Sequence, residues 1–513
     1  VIVHLSKFKI IIALLAFFTL AEPVLANYRA ATQYFQRKDY VSAASAYFNA
    51  YGMPRASGEK MKAEWGLAQS LHRLGFYYSA SKYYSIIVRR GTRNNPFFRQ
   101  ALEELGKVNS TISLGQSHIV QLFKTKIRAS DVPGPARGFY FYYLGIEAFT
   151  RNKYEQAAQN FKKVGGSSKY FLEAQFHLGV VQNLRGNHSG AISYFEKVRS
   201  GAARSPWMRE QANLNIARIH YEMKRYREAL RYYSYVPRES DNWLQALFEA
   251  SWTFFMLQKH NNTLGTIHTL HSPFYGNRFF PESYVLQSIT FLRLCRFKQV
   301  KASLAKFRGR YKNTYGELRK LLNSYDRNAN GFFKVVYDYR NGNLRRFTDA
   351  QAIIDSLSRT DIYREAGNTL RFSDIEMARL DRGSMSRIWA QSGLLDEVKG
   401  FLKNKKQAAI QDAGKRLYAK AAGYFSYLTE LSNQTKLINT EMLLGRIDRM
   451  RRKLDVGQAD KKENFIGGLQ PLVVGEQYEY WPFAGEYWED ELGTYVYNLD
   501  SICGKADNNP KGK

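Results

Sequence analysis

Tyr143-Leu144-Gly145, followed by Ala148, Tyr154, Ala157, Phe161 and Val164, is the stretch on which the fold turns. Thirty-four residues on, the chain gives Leu178-Gly179, then His188, Ala191, Phe195 and Val198. A step of 38 leads to Ile216-Ala217, Tyr226, Ala229, Tyr233 and Val236, and another 34 to Ala250-Ser251, His260, Thr263, Ile267 and Leu270. Ser288, Phe291, Phe297, Val300, Leu304 and Phe307 close the series. Two units precede it: Ala31, Tyr34, Tyr40, Ala43, Tyr47 and Ala50, then Ala68, Leu71, Tyr77, Ala80, Tyr84 and Ile87. Self-similarity at such a period marks a helical repeat. Small residues let two helices of a hairpin approach, one aromatic opens the second helix, and another fills the gap to the next unit. One hairpin cannot cover its own apolar faces, so neighbours must stack.

The pattern resembles the tetratricopeptide repeat (TPR), whose motif carries W-x-x-L-G-x-x-Y, Ala, Phe and Ala at these positions. Trp65 lies one place late, and the family's Pro near the end of the unit is generally missing. The resemblance implies an all-α fold, a superhelical solenoid of hairpins over residues 27–311. Residues 94–136 read as a degenerate unit on Leu102, Leu105, Val108, Ile112, Ile119, Leu122 and Phe123, with Pro133-Gly134-Pro135 as a joint.

Residues 312–466 stay helical without the period. Leu394, Leu395, Val398, Phe401, Leu402, Ala409, Ile410, Leu417, Ala421, Phe425, Leu428, Leu431, Ile438, Met442 and Ile447 mix spacings of three and four, as in a helical hairpin or coiled coil. Either a pair packed within the chain or an arm for a partner satisfies that spacing. Residues 467–513 form an acidic, aromatic and partly extended ending. Between Glu476 and Glu491 stand six acids, no base, and six aromatic rings. Trp481, Phe483, Tyr487 and Trp488 are its candidate docking side chains, against a basic helical surface of this chain or of a partner; a self-contained hairpin is the other reading. Tyr495 to Leu499 reads as a strand.

Residues 1–26 read as a cleaved signal peptide. Lys7 and Lys9 precede an uncharged run from Ile10 to Leu20, and Val24-Leu25-Ala26 offers a cleavage site. Eleven residues are too few for a membrane span, which takes about 20. The reading places the mature chain in the periplasm, with no transmembrane segment. Export sets nucleic acid aside as the target of the net charge of +31. Basic residues are dispersed along the chain, which suits a solvated surface or peripheral contact with acidic envelope components. Cys295 and Cys503, the only cysteines, either pair in that oxidising compartment or stay apart, Cys295 on a helix stripe with Phe291, Leu292 and Phe297.

No phosphate loop, nucleophile elbow or metal-ligand set is present, so the reading is of no enzyme, catalytic residue, cofactor or metal site. His268 and His271 stand three apart without a third ligand. The passages Leu264–Phe297 and Tyr480–Cys503 look like exported TPR proteins of gliding and predatory delta-proteobacteria, some linked to gliding-motility envelope machinery. Mapped from the repeat, a partner groove takes Tyr142, Ile146, Phe149, Phe176, Val180, Asn183, Arg218, Tyr221, Phe248, Trp252 and Phe255. Its apolar, aromatic character suits an apolar or amphipathic segment of an envelope protein, unless these side chains only pack between hairpins. A scaffold for protein partners follows; a cell-wall-acting hydrolase is the alternative.

Overall fold

The computed structural model describes residues 28–53, 57–123, 127–343, 349–381, 383–456 and 487–503. The expected signal peptide, Trp481 and Phe483 lie outside the described residues. The chain is all-α. Eight helix pairs run in order: α1 (28–36) with α2 (Tyr40–Gly52), α3 (Ser57–Arg73) with α4 (Tyr77–Arg89), and α5 (Phe98–Ile112) with α6 (Gln116–Leu122). Then come α7 (Arg137–Thr150) with α8 (Tyr154–Lys162), α9 (Phe171–Leu184) with α10 (His188–Gly201), and α11 (Pro206–Glu222) with α12 (Tyr226–Tyr233). The last are α13 (Trp243–Met256) with α14 (His260–Leu270), and α15 (Glu282–Arg293) with α16 (Phe297–Tyr325). The pair α5–α6 is the degenerate unit.

The other seven pairs share one turn. Lys38, Gly75, Asn152, Gly186, Lys224, Gln258 and Cys295 adopt φ of 56–79°, each two residues before the ring that opens the second helix. The next residue in each turn donates its N–H five positions back. Asp39, Phe76, Lys153, Asn187, Arg225, Lys259 and Arg296 thus reach the carbonyls of Tyr34, Leu71, Ala148, Gln182, His220, Phe254 and Phe291 at 2.8–3.0 Å. This closure caps the first helix with a left-handed residue. The seven repeat positions that open the second-helix core, Ala43, Ala80, Ala157, Ala191, Ala229, Thr263 and Val300, are fully buried. Where the first helix carries glycine, an aromatic ring occupies the vacated space. A Cβ on Gly145 would sit 2.4 Å from the Phe161 ring, and one on Gly179 would sit 2.8 Å from that of Phe195.

The remaining helices are α17 (Ala329–Arg340), α18 (Gln351–Ser358), α19 (Asp361–Leu380), α20 (Gly383–Ser392) and α21 (Leu394–Val456). Two expectations are corrected here. The break expected between residues 311 and 312 falls inside α16, whose apolar face continues through Tyr311, Leu318 and Leu322. Of the hairpin and the coiled coil that the spacing after residue 394 allowed, the hairpin is not formed: the stretch is one unbroken helix of 63 residues, because neither proline nor a left-handed turn residue interrupts it. No described helix is long and apolar enough to cross a membrane.

The chain divides into two compact units: residues 1–177 with 361–413, and residues 178–360 with 414–513. In unit 1, α19 and α20 pack on the first repeats. The Glu376 carboxylate, 2% exposed, accepts from the N–H of Tyr78 (2.6 Å) and of Ser79 (3.2 Å) and from Ser79 Oγ (2.8 Å). It thereby serves the first turn of α4, whose own N-terminal residue Phe76 provides no side-chain cap. Arg379 donates to the carbonyl of Gly75 at 2.8 Å, inside the α3–α4 turn. Trp389 is fully buried, its Nε1 donating to the Val41 carbonyl (3.0 Å) and its ring 5.1 Å from Phe76. In unit 2, α21 lies on the late repeats: the Ala329 carbonyl comes so near Gly414 that a Cβ there would be 1.9 Å away, and Phe425 stacks on Tyr315 at 4.4 Å.

Two predictions follow from this packing. A left-handed conformation costs a non-glycine residue about 1 kcal/mol. Lys224→Gly is therefore expected to raise stability by about that much, while Gly186→Ala, whose added Cβ meets nothing within 4 Å, lowers it equally through the backbone alone. Urea unfolding checks both, and a destabilising Lys224→Gly would contradict the strain. Burial pushes the Glu376 carboxyl up to about 7, against the pull of its donors Tyr78 and Ser79. A folded pKa above the ordinary 4.5 means the folded state holds the proton longer, so this contribution is full below about pH 4.5 and is lost as pH rises through 7. Glu376→Gln should flatten the pH dependence of the melting temperature in that window. Glu376→Ala should destabilise at every pH, by about 1–3 kcal/mol for each buried donor left unserved.

Candidate interaction surfaces

The residues mapped to a partner groove divide between the units. In unit 1, Tyr142 stacks on Tyr170 at 5.1 Å and meets His177 edge-on at 5.8 Å. Phe149 lies 5.9 Å and Phe176 6.1 Å from the same imidazole, and Ile146 is buried. Burial holds the His177 pKa below its ordinary value, so the ring stays neutral and packs as an aromatic. Three of the four thus lie against one imidazole, His177, rather than around open space. In unit 2, Val180 and Asn183 are half-buried, and Asn183 Oδ1 lies 2.9 Å from His188 Nδ1. Arg218 forks onto Glu249 at 2.9 and 2.7 Å. Tyr221 meets Tyr226 at 5.5 Å, and Trp252 meets Phe255 at 5.9 Å.

Phe248 alone of the mapped set lines an open cavity of about 430 Å³. Leu244 and Gln245 join it from α13, about one helical turn before Phe248. Arg278, Phe279, Phe280 and Pro281 come from the connection into α15, and Ser356 and Arg359 from α18 and its end. Tyr424 and Tyr427, three apart and thus on one face of α21, complete the wall. Phe248 pairs with Phe280 at 5.6 Å and Tyr424 with Phe279 at 5.2 Å, so the aromatic walls brace each other. Tyr427 donates its hydroxyl to Glu282, and burial followed by that bond raises its pKa. At the rim, Asp241 bridges Arg359 (3.2 Å) and Arg278 (3.5 Å), with its own side chain 79% exposed. An exposed pair is worth only about 0–1 kcal/mol. An incoming carboxylate can therefore take over Arg278 at small cost, whereas Arg359 is also held by Asp355 at 2.8 Å, and apolar groups enter among the rings. The sequence reading missed Phe279, Phe280, Tyr424 and Tyr427. The pair Phe279-Phe280 before Pro281, outside any repeat position, was the available signal.

A second surface is already occupied. Residues 487–503, with turns over 489–494, lie along α14 and the α15–α16 turn. A Cβ on Gly265 would sit 1.7 Å from the Tyr495 carbonyl oxygen, so the backbone can approach only because glycine stands there. Asn261 serves the segment three times: its carbonyl accepts from Tyr497 N–H (3.1 Å), its Oδ1 accepts from Leu499 N–H (3.0 Å), and its Nδ2 donates to the Leu499 carbonyl (3.3 Å). Tyr487 stacks on His268 at 4.5 Å, and burial with the nearby charge of Lys306 holds that imidazole down to about 4. Arg296 donates to the Asp500 carbonyl at 2.9 and 3.1 Å. Cys295 and Cys503 are joined as a disulfide with Cα atoms 5.2 Å apart.

Several expectations change here. Cys295 stands in the left-handed turn, not on a helix stripe. Tyr495–Leu499 forms no strand beyond a single bridge residue at Tyr497 among the described residues, and Asn261 of α14 takes up its Tyr497 and Leu499 backbone groups. Trp488 is 52% exposed and supplies little buried area; Leu492, Tyr495 and Leu499 are the buried anchors. Glu489, Asp490 and Glu491 face solvent, so rings and backbone bonds make this contact rather than charge. His268 and His271 are taken up by stacking, on Tyr487 and Tyr284 respectively.

Gly265→Ala tests the close approach. In a free helix that change gains about 1 kcal/mol. Here it is expected to lower the melting temperature and to speed protease cleavage within residues 487–499, even with the disulfide intact. A stabilised variant would contradict the contact.

No family model and no curated protein matches the chain. Among solved structures it is similar to MamA protein at 19% identity, over 34% of this chain and 90% of that one, with a TM-score of 0.26. A tetratricopeptide repeat protein from Parabacteroides merdae matches at 15% over 48% and 92%, with a TM-score of 0.30. Yeast Tom70 matches at 12% over 85% and 98%, with a TM-score of 0.25. With scores this low the likeness adds nothing to what the chain's own seven turns display, and the TPR-like helical repeat rests on them.

Proposed function

We propose that this chain is an exported, non-catalytic scaffold of the cell envelope, holding an amphipathic segment of a protein partner in the aromatic cavity of unit 2. The cavity carries the reading: five rings surround about 430 Å³ of open space, and two arginines stand at its rim, Arg278 paired with the exposed Asp241 and Arg359 shared between Asp241 and Asp355. Apolar walls with a few placed polar groups suit a helix or strand presenting one large side chain and one acid. The periplasm is the proposed compartment, supported by the Lys7–Ala26 leader pattern and by a disulfide, which persists where thiols are oxidised. A motility or other envelope assembly is the proposed setting, on the resemblance to exported repeat proteins.

The test is a photoreactive phenylalanine analogue placed at Tyr424 in the native host. It is expected to cross-link one envelope protein through an amphipathic segment, and Arg278→Glu with Arg359→Glu should cut the yield about tenfold, the equivalent of about 1.4 kcal/mol. A yield insensitive to both arginines would overturn the cavity as the site. Soluble fragments released from cell-wall material by the purified chain would replace the scaffold with the hydrolase reading.

A further inference from the structure

Unit 1 contains a different kind of cavity, of about 500 Å³, at the start of α7. Its lining includes Lys107, Arg137, Lys163 and Lys169 against a single carboxylate, Glu103. Lys107 is already neutralised by Glu103 at 3.2 Å and Glu104 at 2.9 Å. The other three cations have no ion-pair partner among the described residues. Lys163 and Lys169 instead lie over the rings of Phe141 (5.2 Å) and Tyr170 (4.6 Å), which hold them toward the cavity without cancelling their charge. Partial burial pulls the Lys169 pKa below its ordinary value, and the nearby Glu173 carboxylate offsets that pull only in part. Ser168 Oγ accepts the Tyr170 N–H at 3.2 Å, which leaves its own proton to donate into the space. The first turn of α7 opens on the same space, and its N-terminal residue Ala136 supplies no side-chain cap.

We infer that this cavity binds a phosphoryl dianion, free or as the headgroup of an anionic lipid. Arg137 and Lys163, with Lys169 offset in part by Glu173, exceed what one further carboxylate neutralises, whereas a phosphoryl group offers two charges and several acceptor oxygens to ammonium, guanidinium and hydroxyl donors together. A nucleotide is the wrong shape of ligand: Phe139 and Tyr170, the rings of the lining, are 3% and 8% exposed and present no face on which a base could stack. The inference stands apart from the partner cavity, since it rests on other residues and another chemistry.

The experiment uses the purified full chain and two probes. Titration calorimetry with glycerol phosphate reads binding of the free group, and flotation with mixed phosphatidylglycerol–phosphatidylcholine vesicles, against phosphatidylcholine alone, reads the headgroup. Binding of either probe is expected to weaken about tenfold in the triple variant Arg137→Gln, Lys163→Gln, Lys169→Gln, on the scale of lost charge-assisted hydrogen bonds. A control triple on exposed positions of α16, Arg308→Gln, Arg319→Gln and Lys312→Gln, should change it less than about twofold. Lys163→Gln alone, should the triple variant unfold, is expected to weaken binding about threefold. Calorimetric binding without flotation assigns a free solute, and flotation assigns a lipid surface; both uphold the site. Equal losses in the two triple variants would show attraction to overall surface charge only, and neither probe binding would remove the site.

Discussion

A backbone N–H that reaches five residues back closes seven helix pairs, and each reach requires one residue with positive φ. That closure fixes where the second helix starts, and so brings Ala43, Ala80, Ala157, Ala191 and Ala229 against the first helix at full burial. The apolar faces left over must then find the next pair. The same turn explains why Cys295 makes an effective anchor: its backbone is already held by the Cys295 and Arg296 N–H bonds when its sulfur meets Cys503. A bridge across 208 residues removes much freedom from the unfolded chain, on the order of 4–5 kcal/mol in the chain-entropy account.

The repeats were legible because their signal is local. Tyr154, Ala157 and Phe161 sit one helical turn apart, and the same triplet recurs where the turn recurs. The rest was not legible for an equally physical reason. Glu376 meets Tyr78 and Ser79 across about 300 residues, through a buried carboxylate that no periodicity marks. Its residue type in an amphipathic helix reads as surface until α4 is found to lack a cap of its own. The spacing left a hairpin and a coiled coil open over α21, because threes and fours of apolar residues fit both. Gly414 serves to admit the Ala329 carbonyl.

Of the residues the sequence mapped to a groove, Phe248 lines the cavity, and most of the others are engaged by neighbours outside the mapped set. Repeat positions specify which side chains leave a helix in a given direction; they do not say whether another ring already waits there. Tyr170 and His177 wait for Tyr142, whereas Phe280 and Tyr424 leave open space around Phe248. Charge follows a similar division. Arg218 and Arg379 spend their guanidinium groups on Glu249 and the Gly75 carbonyl, while the cations of Arg137, Lys163 and Lys169 line one cavity. The excess of basic residues is thus partly structural and partly gathered at one cavity.

Hydrogen exchange, followed peptide by peptide with and without a synthetic copy of the cross-linked partner segment, tests the central claim most directly. The account predicts slowed exchange at residues 244–248, 278–281 and 424–427, which come from three separate stretches of sequence and share only the aromatic cavity. Protection confined to other helices, or no protection at saturating segment, would contradict it.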